Sequence, residues 1–149
     1  MLVNWTVPAL LLAVTIAFVP PASADSVSDG VATIPGGVED VRIAGTWQAE
    51  GKSGVYRMII ARTGGDAVTA RLFVQWVAYG EAGEATLEDS MEIVEVSDLG
   101  LDIVDYISES DAEGLTAFIE TIDPQGSGNE QFELFVFAPD DYRFGPATN

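Results

Sequence analysis

Four charged side chains sit among apolar neighbours of the same strand parity, and they are where this chain could do chemistry. They are Arg57 between Val55 and Ile59, Glu95 after Met91 and Ile93, Asp105 between Ile103 and Ile107, and Glu120 between Phe118 and Ile122. Facing inward, an isolated carboxylate is costly unless paired or hydrogen-bonded, and a carboxylate beside an arginine can orient a ligand or move a proton. Facing outward, the same residues mean only that strand parity slips at a bulge and they reach water. Both readings remain open at the level of sequence.

The chemistry available is narrow. The chain has no Cys and no His. Ser-His-Asp and Cys-His arrangements, thiolate chemistry and zinc sites of the usual kind are therefore excluded, leaving carboxylates, hydroxyls, Arg and Tyr. Glu109, Asp111, Glu113, Gly114 and Glu120 have the spacing of a calcium loop, but Glu stands first, Thr116 takes the aliphatic place, and the flanks read as strands. An acidic hairpin tip accounts for them better, so neither a metal site nor a cofactor is expected, and no residue is assigned a catalytic role.

The elements that must hold these residues are strands. Ile43 to Tyr79 contains three apolar runs divided by glycine-bearing turns, with Thr63-Gly64-Gly65-Asp66 as a hairpin signal. The third run places Ala70, Leu72, Val74, Trp76 and Ala78 on one face, which reads as core. Further strands are expected over Ser90 to Ser97, Leu101 to Ser108, Gly114 to Ile122 and Glu130 to Ala138, after an acidic loop from Gly80 to Asp89. Short connectors pair sequence neighbours, so the expected fold is all-β: an antiparallel up-and-down meander of seven to eight strands that closes into a small barrel.

Residues 1–24 read as a signal peptide. Val7 to Val19 is apolar, Pro20-Pro21 ends the run, and Ala22-Ser23-Ala24 fits signal-peptidase cleavage before Asp25. The run is short for a stable membrane anchor, and the expected location is the periplasm or the exterior. Residues 25–41 read as an exposed lead-in and 42–149 as one barrel domain. The formal charge is −18, and from Leu72 to Tyr142 there is no base against eighteen acids. Such a field disfavours nucleic acid and anionic membranes and suits a solubilising surface, the binding of divalent cations or a basic protein partner.

Gly45-Thr46-Trp47 resembles the G-x-W with which the first strand of lipocalins, avidins and other calycin barrels begins. The resemblance covers the opening strand. It implies that Trp47 plugs one end of a barrel and that a basic residue near the C-terminus, Arg143 here, packs over it. No second lipocalin motif is found, and Gln48-Ala49 does not reproduce the ligand-contacting pattern of avidins.

The expectation from sequence is an exported acidic barrel that binds a small apolar or amphipathic molecule. Tyr56, Met58, Ile60, Leu72, Val74 and Trp76 would line its interior, and Glu95, Asp105 or Glu120 would supply polar anchors. The alternatives are a protein-binding module, such as an inhibitor or accessory subunit working through its acidic face, and a carboxylate-based isomerase or cyclase. The sequence assigns no oligomeric state.

Overall fold

The computed structural model describes residues 25–126 and 128–148. The leader expected over residues 1–24 lies outside them. The described residues fall into two units, up to Thr33 and from Ile34 onward. In the first, the expected irregular lead-in contains a helix, α1 (Ser26–Ala32), whose N-terminus is capped by Asp25 accepting from the Val27 N–H at 3.1 Å. All of its residues are exposed.

The second unit is all-β. Eight antiparallel strands form two four-stranded sheets: β1 (Val38–Ala49), β2 (Lys52–Thr63), β3 (Thr69–Tyr79) and β4 (Ala85–Ile93) in one, β5 (Asp102–Ser110), β6 (Leu115–Ile122), β7 (Asn129–Ala138) and β8 (Asp141–Pro146) in the other. Each strand pairs with its sequence neighbours, as the short connectors require, except between β4 and β5. There a short helix, α2 (Val94–Asp98), intervenes. It replaces the second half of the strand expected over Ser90 to Ser97; the first half, to Ile93, is the end of β4, which begins earlier, inside the expected acidic loop.

Alternation places the core as expected on β3. Ala70, Leu72, Val74, Trp76 and Ala78 are all buried, and Tyr56, Met58 and Ile60 of β2 meet them in one cluster with Ile93, Ile103, Leu115, Ile119 and Leu134. Facing sheets each contribute one side chain in two to this apolar layer, which is the main source of stability in a chain without disulfides.

All four odd-numbered strands run toward the same end of the unit. The β1–β2, β3–β4, β5–β6 and β7–β8 turns are therefore gathered there, while the β2–β3 and β6–β7 turns and α2 lie at the other end. The direction follows from the antiparallel registers and from β1 lying alongside β5. Arg42 of β1 contacts Asp105 of β5 at 3.0 Å, and farther along the Thr46 N–H donates to Ser110 Oγ at 2.9 Å. Gly45 permits this approach: a Cβ there would lie 2.4 Å from Ser110 Oγ.

The end with α2 is closed. Leu101 C=O accepts from the Ala70 N–H at 2.7 Å, and Val96 of α2 is fully buried. Arg62 forks across the junction, donating from Nε to Asp102 at 2.9 Å and from Nη2 to the Ile103 carbonyl at 3.0 Å, with Glu39 as a third partner. Tyr142 of β8 donates to Glu95 at 2.8 Å.

Tyr106 is buried against this seam, with the Arg42 guanidinium 4.2 Å above its ring. Its hydroxyl is enclosed and has no hydrogen-bond partner among the described residues. Burial, partly offset by Arg42, pushes its pKa up to about 12. Between about pH 10 and 12 the unfolded tyrosine has lost a proton that the folded one keeps, so folding becomes less favourable by about 1.4 kcal/mol per pH unit over that window. Urea unfolding at pH 9 and 11 should show this loss, and Tyr106→Phe should reduce it. Because the hydroxyl is unmatched, Tyr106→Phe should also leave stability at pH 7 unchanged or raised by up to about 1 kcal/mol. A clear loss at pH 7 would mean that the hydroxyl is satisfied.

Candidate functional site

The open end carries a cleft of about 780 Å³. Trp47, Tyr56 and Trp76 form its base; its rim comes from the β1–β2 hairpin around Glu50 and Lys52, Glu88 and Asp89 of β4, the Asp111–Glu113 turn, and Phe137 to Pro139. Local sequence explains each support. Glu50 and Gly51 adopt φ of 53° and 78°, giving the two-residue turn that matches strand twist and closes the Ala49↔Lys52 pair. Asp111 Oδ1 accepts from the Glu113 and Gly114 N–H groups at 2.8 and 3.2 Å, folding the β5–β6 tip into an Asx turn. This self-capping shapes the acidic hairpin tip. Among the described residues no three acids come together as a metal site.

The aromatic base is built by parity and register. Tyr56 and Trp76 are paired residues on the inner faces of β2 and β3, with ring centroids 5.7 Å apart at 71°, an edge-to-face contact. Trp47 is 8% exposed, and its indole N–H donates to the Val55 carbonyl at 3.2 Å, which fixes the ring beneath the β1–β2 hairpin. Trp47 is thus buried at one end of the core. Arg143 does not cover it. Successive residues of β8 face opposite ways, so Tyr142 and Phe144 pack on the core while Arg143 points outward, its guanidinium 5.6 Å from the Phe137 ring.

The six apolar residues expected to line an interior cavity divide into two groups. Tyr56 and Trp76 line the cleft, whereas Met58, Ile60, Leu72 and Val74 pack deeper, at most 5% exposed, as solid core. The three expected polar anchors lie elsewhere. Glu95 is half-buried on α2 and accepts from Tyr142. Asp105 is exposed because a bulge between Ile103 and Asp105 shifts parity, sending Ile103 and Tyr106 inward and Asp105 out to Arg42. A backbone N–H and Arg42 hold the Asp105 carboxyl below its usual pKa. Glu120 shares the outer face of β6 with Phe118 and Ile122 and accepts from Asn129 at 3.2 Å.

Arg57 also faces outward, donating to Gln75 at 2.9 and 2.6 Å, and Gln75 passes the chain on to Ser90 at 3.1 Å. The charged side chains singled out by sequence are thus ties on the outer surface, and the structure brings none of them together at the cleft.

Sequence reasoning passed over the rim because its residues come from three separate turns and from β4. The β1–β2 and β5–β6 turns were legible alone and the β7–β8 turn was not; their convergence depends on the common direction of the odd strands. Within the rim, Lys52 is paired with Glu88 at 2.5 Å, whereas Glu50, Asp89, Asp111 and Glu113 have no cationic partner among the described residues. Chemically, the site offers a concave aromatic base under a negatively charged mouth. Among the described residues, no side-chain hydroxyl lining it is hydrogen-bonded to a carboxylate. Comparison of the chain with protein-family models, with curated proteins and with solved structures gives no match.

Proposed function

We propose that this chain is an exported small-molecule-binding protein of calycin-like build, in which the two meanders act as one barrel-like wall and the ligand enters through the open end. The observation that carries the reading is the cleft of about 780 Å³ based on Trp47, Tyr56 and Trp76. Its size falls in the range of sites for small organic molecules, and an apolar base with a few convergent polar groups is their usual composition. The G-x-W opening strand supports the comparison with calycins, and Ala22-Ser23-Ala24 supports export.

The test uses a neutral fluorescent lipophile and a blocked mouth. Ala112 is an exposed residue on the rim, so Ala112→Trp fills the entrance without touching the core. N-phenyl-1-naphthylamine should brighten on binding the parent protein at one equivalent, and Ala112→Trp should weaken binding by about tenfold or more, the effect of losing one good apolar contact surface. Native mass spectrometry of protein from its own source should show a mass excess that disappears on unfolding. A bare mass together with equal probe response in both proteins would reject the reading.

A further inference from the structure

We infer that the cleft selects an organic cation: a molecule with an apolar body and an ammonium or amidinium group, the body lying on the aromatic base and the charge held at the mouth. The inference rests on the small-molecule reading above and narrows it to one ligand class.

Charge distribution at the cleft is the first support. All four hairpin tips at the open end carry acids: Glu50; Glu81 and Glu84; Asp111 and Glu113; Asp140 and Asp141. Of the two bases nearby, Lys52 is held by Glu88 and Arg143 lies on Phe137. Glu50, Asp89, Asp111 and Glu113 line the cleft and, among the described residues, none of them is in an ion pair, although Lys52 lies close enough to feel the Glu50 charge. Several like charges around a concave, low-dielectric wall concentrate field inside it and raise the local concentration of counter-ions.

The second support is the aromatic base. Tyr56 lines the cleft, is only 4% exposed, and is hydrogen-bonded by the Trp76 side chain. The Trp76 indole beside it can only donate. Burial raises the Tyr56 pKa against the opposing Trp76 hydrogen bond, with a smaller contribution from the Asp111 charge, so the hydroxyl stays neutral. An organic cation fits there: its charge is favoured by the faces and edges of the aromatic base and by the carboxylates at the mouth. An anion would meet four unpaired carboxylates.

The experiment compares three probes with the same benzyl body: benzyltrimethylammonium, its neutral carbon isostere neopentylbenzene, and phenylmethanesulfonate. Binding is followed by tryptophan fluorescence at low salt and in 0.5 M NaCl. The cation should bind about tenfold more tightly than the neutral isostere at low salt, with the gap closing at high salt, and the sulfonate should not bind. The double variant Glu50→Gln, Glu113→Gln alters only exposed side chains; it should weaken the cation about threefold or more and leave the neutral isostere unchanged. Equal affinity for cation and isostere, or preference for the sulfonate, overturns cation selection while leaving the small-molecule site intact. Failure of all three probes, while N-phenyl-1-naphthylamine still binds in a way blocked by Ala112→Trp, likewise overturns it. Failure of every probe removes both conclusions.

Discussion

Gly54→Ala should destabilise the protein by about 3 kcal/mol or more, the upper range for forcing atoms into a filled interior. Gly54 opposes Ala78 across the β2–β3 ladder, on the buried face beneath the cleft. A Cβ built on it lies 1.9 Å from the Val77 carbonyl oxygen and 2.8 Å from the Ala78 Cα. Both obstacles are main chain, so no side-chain rotation relieves the overlap, and the ladder must spread at the point where Tyr56 and Trp76 are positioned. Gly64→Ala is the control, because a Cβ there meets nothing within 4 Å. Its change should stay within about 0.5 kcal/mol, as for ordinary surface substitutions. Urea titrations of the two variants beside the parent decide the matter: equal midpoints for parent and Gly54→Ala would show that the β2–β3 ladder is looser than described.

Trp47→Ala should cost on the order of 3 to 5 kcal/mol, the range for deleting a large buried aromatic. The indole is 8% exposed, belongs to the core cluster and donates to the Val55 carbonyl. Its removal leaves that acceptor unmatched and opens the cleft floor into the core. Trp47→Phe separates the two contributions. It keeps most of the apolar volume but loses the hydrogen bond, so its cost should be about 1 to 3 kcal/mol. Urea unfolding should rank parent, Trp47→Phe and Trp47→Ala in descending stability. Parent-like stability for Trp47→Ala would contradict burial of Trp47 at the end of the core.

Much of this architecture could be read from sequence because β2 and β3 alternate strictly. From Gly54 to Ile60 and from Ala70 to Trp76 every second residue is buried, which is the signal a half-buried strand must give. The signal fails where geometry breaks period two. Met91, Ile93 and Glu95 continue an alternating pattern, yet Val94–Asp98 turns into helix, and only Val96 of that helix is buried. Asp98-Leu99-Gly100 has the composition of a hairpin turn but, with Gly100 at φ 65°, it ends α2 and carries the chain to the other sheet. At β5 a single extra residue exchanges the inward and outward sets, which is why Asp105 is exposed and Tyr106 buried. The cleft was the least legible part. Trp47 and Trp76 are recognisable as large aromatics, but nothing local indicates that Glu50, Asp89 and Glu113 face a common space.

The order of strands in the two sheets leaves β4 and β8 as terminal strands, each with a backbone rim that no neighbour within its sheet pairs. An extended rim of free N–H and C=O groups is a template on which another chain can add, and this chain has no disulfide to prevent its sheets from separating. Both rims are poor templates. β4 carries Glu88, Asp89 and Glu92 and is offset by a bulge at Trp76/Val77; β8 is short, carries Asp141 and Arg143, and ends at Pro146, which has no N–H to offer. Asp89, which charges the mouth, thus also helps to keep one molecule from extending the sheet of the next, so neutralising it for ligand selectivity would be expected to trade away resistance to aggregation.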